Sequence, residues 1–332
     1  MARLTSSGEN CRKSRLAFWW RFIYATEARA DGDEPELNLV WRTNEMNFVP
    51  MDELLQPAWR GKYAVPAFCA WNAEVAEVIL RVATDLQAPV ILMSGPGEFP
   101  LNAPETLARI CQAVAQKYPG PAALHLDHGD SLELVQQCLE AGYTSVMLDY
   151  STRPFAENVA ALKAVVAKAH PKGVTVEGEI GSVGRVDSES VEGGKASTLT
   201  DPAEAARYAE MTGVDALAVS IGNAHGIYTR LPVFDFERLE TIRRAVRVPL
   251  VLHGGSGTQP QYIQKAVSLG MAKVNIASEL CKAFRDGYAQ EHANGKNGWL
   301  PTCLGAIKPA IAKVVGRWIT LCGAQGKAAA KA

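Results

Sequence analysis

From Tyr63 onward the chain alternates short apolar runs with longer stretches in which apolar residues recur at helical spacing. The runs are YAVPAF (63–68), APVILMS (88–94), PAALHLD (121–127), SVMLDY (145–150), VTVEGEIG (174–181), ALAVSIG (216–222), PLVLHGG (249–255) and KVNIAS (273–278). Their length and β-branched content predict buried strands. Between them AEVAEVILRVATDLQ (73–87), SLELVQQCLEAGY (131–143), FAENVAALKAVVAKAH (155–170) and DFERLETIRRAV (235–246) predict amphipathic helices. Asp130-Ser131 and Asp201-Pro202 supply helix starts, the second with proline at the first helical position. Eight regular βα units predict an α/β fold closed as a (β/α)8 TIM barrel; a doubly wound open sheet is the alternative. Two more helices, LCKAFRDGYAQEHA and IKPAIAKVVGRWITLC, follow the eighth strand, and residues 323–332 read as a frayed tail. Between the fifth strand and its helix, SVGRVDSESVEGGKASTLTD is too long and polar for an ordinary turn and predicts a mobile lid on the barrel's catalytic face.

Composition narrows the class. The 332 residues are 48% hydrophobic and 21% charged, ordinary for a globular protein, and the net charge of −1 leaves no electrostatic footprint for nucleic acid. Seven cysteines without a CxxC spacing predict free thiols in a reducing compartment, here the cytoplasm. No apolar run reaches the roughly 18 residues that a membrane span needs. Residues 1–45 stand apart: a basic patch, then LAFWWRFIYATEARA interrupted by Arg21, then the acidic DGDEPE. This imitates a secretory signal but breaks its apolar core, so a poorly ordered extension is expected, with the barrel filling 46–332.

In a barrel the C-terminal ends of all strands share one rim. That rim would collect Asp127 and His128 from strand three, Asp149 from strand four, Glu177 and Glu179 from strand five, His225 after strand six and His253 at strand seven. A lone histidine at a strand end is more often a hydrogen-bonded core residue than a ligand. Three of the chain's six histidines on one rim, beside carboxylates, point instead to a three-imidazole zinc site with an open position. Asp149 and Glu179 would supply a second or alternate ion position. His125, two residues before Asp127, lies a layer deeper and reads as support, and Glu177 is ambiguous in the same way. HGGSGT (253–258) and NIAS (275–278) place glycines and hydroxyls after strands seven and eight, where barrels bind phosphate. A metal beside a phosphate site suggests sugar-phosphate chemistry: a Lewis acid at a carbonyl, stabilising an enediolate, and a carboxylate such as Asp127 moving a hydroxyl proton amount to retro-aldol cleavage.

In order and separation, AVPAF, LHLDHG, VEGEIG, NAHGIY, HGGSG and VNIASEL resemble the class II, zinc-dependent ketose-bisphosphate aldolases, from about Met46 to the C-terminus. The resemblance implies cleavage to dihydroxyacetone phosphate and an aldehyde. It assigns His128, His225 and His253 to one catalytic zinc per chain, Asp149 and Glu179 to a second divalent position, and Asp127 to proton transfer at the C4 hydroxyl. It assigns Gly226, Gly254, Gly255, Ser256, Asn275, Ala277 and Ser278 to the phosphate of dihydroxyacetone phosphate, with a monovalent cation nearby, and it implies a homodimer or homotetramer.

Several positions depart from the family. Its lid often reads GxxGGxE, the glutamate taking a proton from dihydroxyacetone phosphate; GSVGRVDSE puts Arg185 at the second glycine of the pair and Asp187 at the acid. Cys69 replaces an asparagine and Met93 a glutamine, while Ser94 stays near the family's substrate-binding serine. The DPR whose arginine holds the distal phosphate is LPT (300–302) here. Thr302 cannot replace a bidentate guanidinium, so a substrate whose distal end carries no phosphate is expected. A metal-dependent ketose-phosphate epimerase on the same scaffold and a non-catalytic sugar-phosphate-binding subunit are the alternatives.

Overall fold

The computed structural model describes residues 48–186, 198–228, 232–293 and 299–328. Eight parallel strands form a closed barrel: β1 (Val65–Cys69), β2 (Val90–Ser94), β3 (Ala122–Gly129), β4 (Ser145–Leu148), β5 (Thr175–Ile180), β7 (Ala216–Val219), β9 (Leu250–Leu252) and β10 (Met271–Ile276), with β10 pairing back to β1. Each lies within a predicted apolar run or overlaps it closely. Nearly every barrel residue is buried, because side chains fill the inside while helices cover the outside. Two short strands outside the barrel, β6 (Gly184–Arg185) and β8 (Ala224–His225), pair in parallel and join the first residues of the expected lid to the loop carrying His225.

Helix α1 (Met51–Gly61) precedes the barrel and closes its N-terminal mouth with Met51, Leu54, Leu55 and Ala58. The Asp52 amide donates to Thr175 Oγ1 at 3.0 Å, and Val49 N to Ala122 O at 2.8 Å, both at the first residues of strands. The outer ring is α2 (Ala73–Asp85), α3 (Pro104–Ala115), α4 (Leu132–Ala141), α5 (Phe155–Ala169), α6 (Pro202–Thr212), α7 (Phe236–Ala245), α8 (Pro260–Ser268) and α9 (Ser278–Ala293). The expected caps form: Ser131 Oγ accepts from Leu134 N at 3.2 Å, and Asp201 Oδ1 from Ala203 N and Glu204 N at 2.9 Å each.

The last helix, α10 (Leu300–Leu321), begins earlier than the pattern suggests and takes in Thr302. Residues 323–328 are no frayed tail. Ala324 is buried, Gly326 N donates to Leu86 O at 3.0 Å and Ala328 N to Gln87 O at 2.8 Å, so carbonyls left over at the end of α2 hold the segment down. Glu279 at the start of α9 ties α10 to the strand-seven loop. Its Oε1 accepts from Gly257 N at 2.8 Å, and its Oε2 accepts from Trp318 Nε1 at 2.8 Å and from Arg317. Among the described residues the cysteines form no disulfide and no helix is long and apolar enough to cross a membrane.

Candidate active site

Successive strand residues point to opposite faces, yet Asp127 and His128 both line the same cavity. The β3–β4 register shifts between Leu126 and Gly129, and His128 adopts a left-handed φ of 49°, which turns both side chains inward. Such a conformation is costly for a residue with a Cβ and persists where surrounding structure enforces it. Asp127 Oδ1 accepts from Asn275 Nδ2 at 2.8 Å across the barrel. Burial alone would raise its pKa, but His128, Lys273 and the other histidines outweigh that and hold the carboxyl well below the usual range.

The rings of His128, His225 and His253 converge, with centroids 4.5–5.8 Å apart. One ring nitrogen from each lies within 4.8 Å of the others. Carboxylates behind two of the rings decide which nitrogen stays bare. Asp149 Oδ2 sits 2.8 Å from His128 Nδ1, and Asp149 Oδ1 is held by Ser151 N at 3.1 Å. This leaves His128 Nε2 buried without a hydrogen-bond partner. Glu177 Oε1 lies 2.9 Å from His253 Nε2, which leaves Nδ1 bare, 3.0 Å from Glu179 Oε2 but outside hydrogen-bonding geometry. Carboxylates placed behind imidazoles in this way orient metal ligands. Burial and the neighbouring His128 and His253 push the His225 pKa well below its ordinary value, so its ring stays neutral and able to ligate. Burial would lower His128 too, but Asp127 and Asp149 override it and raise its pKa.

The donor set therefore fits a divalent ion. Glu179 and Asp149 also cluster with His128, so one patch holds all five residues expected to ligate metal. As expected, His125 sits deeper. Its Nδ1 is 2.8 Å from Ser145 Oγ, and burial, then Lys273, lowers its pKa to about 3. Glu177 is wholly buried and pairs with Lys273 Nζ at 3.0 Å.

Beside the histidines lies a small cavity of about 40 Å³ lined by Gly226, Gly254, Ser256, Asn275, Ala277 and Ser278. It opens at the N-terminus of α9, an end of the helix that favours an anion. Ser256 Oγ accepts from Glu279 N at 3.2 Å, which leaves its proton for a ligand. Gly255 behaves differently: its amide already donates to Asn275 O at 3.0 Å, so it packs the loop instead of lining this cavity.

A larger cavity of about 240 Å³ extends outward from Asp127. Its walls include Ser94, hydrogen-bonded to Tyr143 at 2.9 Å, the buried Cys69, and further out Glu98, Arg185, Lys282 and Arg285. Thr302 is exposed in the first turn of α10 and is not among the lining residues. Its lack of a guanidinium therefore does not strip this end of positive charge. The residues missing from the sequence reading are Lys273, Glu98, Lys282 and Arg285; none stands at a strand end, which was the signal used. Asp187 and residues 188–197 of the expected lid lie outside the described residues.

The family model for Fructose-bisphosphate aldolase class-II matches residues 49–327. The YdjI aldolase from Escherichia coli K12 is 35% identical, with a TM-score of 0.75 over 85% of this chain and 99% of that one. The Fructose-bisphosphate Aldolase (Fba) from Campylobacter jejuni, 23% identical, shares the fold at a TM-score of 0.72, over 84% of this chain and 97% of that one.

Proposed function

The chain belongs to the class-II fructose-bisphosphate aldolase family, and from that premise we propose that it is a zinc-dependent enzyme reversibly cleaving a ketose 1-phosphate or 1,6-bisphosphate to dihydroxyacetone phosphate and an aldehyde. The observation that carries this reading is the convergence of His128, His225 and His253, with buried, unpartnered nitrogens on His128 and His253, while His128 lines one cavity with Asp127. When bound, a divalent ion supplies Lewis-acid polarisation of the ketose carbonyl.

The chain's own groups do the rest. The small cavity binds the C1 phosphate through Ser256, Ser278 and the amides around Gly226 and Gly254, with a monovalent cation beside it. Asp127, held by Asn275, takes the C4 hydroxyl proton as the C3–C4 bond breaks and returns it in condensation. Asp187 of the lid is the group proposed to move the proton at C3 of dihydroxyacetone phosphate. Asp149 and Glu179 offer a second divalent position, for Asp149 at the cost of its hold on the His128 imidazole. A cytoplasmic homodimer or homotetramer, with sugar phosphate as its small-molecule partner, completes the proposal.

The test is release of dihydroxyacetone phosphate from a panel of ketose phosphates, with and without chelator, on wild type and Asp127→Asn. Asp127→Asn is expected to lose roughly 10²–10⁴-fold in kcat with its metal content intact. Loss of metal in that variant would make Asp127 a ligand. Isomerised ketose without triose would favour the epimerase, and full activity after exhaustive chelation would end the metal-dependent reading.

A further inference from the structure

The loop after β2 carries a carboxylate that the bond-breaking chemistry leaves unused. In Gly95-Pro96-Gly97-Glu98, the Glu98 amide donates to Gly95 O at 3.0 Å and closes a tight turn. The Glu98 side chain folds back over this turn, where Oε2 accepts from Gly95 N at 2.8 Å. The turn sits hard against β3: a Cβ at Gly95 would lie 2.2 Å from the Asp127 carbonyl oxygen. Glu98 is thus held in the cavity wall beside the residue proposed to act at C4.

Its surroundings favour a hydrogen-bond donor as ligand. Besides the Gly95 amide, Glu98 bonds to the Cys69 thiol, while burial and the like charge of Asp127 push its pKa up. A carboxylate has about four acceptor positions, and these donors together with the Glu98 amide itself leave room for a ligand. A phosphate would meet repulsion here. A hydroxyl, which can donate, would not. Arg185, Lys282 and Arg285 also line this cavity and supply the complementary sign, so acceptors and anionic groups of the same ligand have another place to go.

Building on the aldolase reading, we infer that Glu98 is a specificity residue for the aldehyde half of the substrate. It accepts a hydrogen bond from a hydroxyl within two carbons of the carbonyl carbon and keeps anionic substituents off that position. A site built to pair a substrate hydroxyl discriminates strongly against an analogue lacking it.

The experiment runs the zinc-loaded full chain in the condensation direction with dihydroxyacetone phosphate and either glyceraldehyde or propanal, which has the same three-carbon length but no hydroxyls. Wild type should prefer glyceraldehyde by tenfold or more in kcat/KM. In Glu98→Gln the amide oxygen can still cap Gly95 N while an NH₂ replaces the free acceptor. The preference should then fall about tenfold, equivalent to about 1.4 kcal/mol, and in KM rather than kcat. Glu98→Ala should do the same. An unchanged preference in both variants, at wild-type melting temperature, would overturn the assignment and leave Glu98 a loop cap. Solvent deuterium exchange into dihydroxyacetone phosphate by the wild type needs no aldehyde. Its absence would sink the aldolase reading itself, whereas exchange with an unchanged preference sinks only the role of Glu98.

Discussion

The two ends of the cavity are built from different material. The proximal end, beside the histidines, is made by strand ends and turns: Gly226, Gly254, Ser256 and the start of α9. The outer end is made by side chains from elsewhere: Glu98 on a loop, Arg185 on β6, Lys282 and Arg285 on α9. A binding surface of backbone set by the barrel tolerates little change, while one of long side chains can be altered without moving the frame. Chemistry common to a family belongs at the first and substrate choice at the second.

Substitutions at each end should break or sharpen that contrast. The largest effect is expected at His253→Ala, which removes one of the three proposed ligands; both bound metal and turnover should be lost, as metal analysis after dialysis and product release would show. A preparation that keeps stoichiometric metal and activity would contradict the proposed site. Next comes Gly254→Ala. With φ at +67° and a new Cβ 2.0 Å from Ala224 O, the loop must move, pulling on His225. Strain of about 1–3 kcal/mol should lower the melting temperature and weaken phosphate binding together. At the outer end, Lys282→Ala and Arg285→Ala should each cost roughly tenfold in kcat/KM for a 1,6-bisphosphate and little for a 1-phosphate, the loss of about one charge-assisted contact. Equal losses on both substrates would assign these cations to the proximal phosphate. The smallest effect is expected from starting the chain at Met46, which should leave kcat/KM unchanged; an inactive product would show that residues 1–45 support the barrel.

The same contrast explains what could be read in advance. Strand period and length located all eight barrel strands, and the shared rim then brought His128, His225, His253, Asp149 and Glu179 together. Lys273 escaped notice because a lysine in KVNIAS reads as a solvent-facing position. It is buried because Glu177, far away in sequence, balances its charge. Arg185 is joined to the His225 loop by two residue pairs of β6 and β8, too short a ladder to leave a periodic signal. The placement of Lys282 and Arg285 depends on how α9 packs against α10. Where Thr302 falls relative to the helix start could not be judged from LPT alone. Residues 323–328 misled because small, polar composition suggested fraying, whereas the unsatisfied end of α2 captures them.

Glu279 gives the chain's C-terminus an unexpected place in the order of assembly. It grips Gly257 of the strand-seven loop with one oxygen and Trp318 with the other, and β1 finds its second neighbour only when β10 arrives. During synthesis the residues of strands three and five proposed to hold metal emerge early, yet the sheet carrying them keeps an open edge until the last strand pairs. The second oxygen of Glu279 stays without its Trp318 partner until that residue has left the ribosome. Pairing elements so distant in the chain makes closure slow, and exposed edges meanwhile invite misassociation. A nascent chain of this protein is therefore most vulnerable just before completion, and its final helix is the piece that ends that interval.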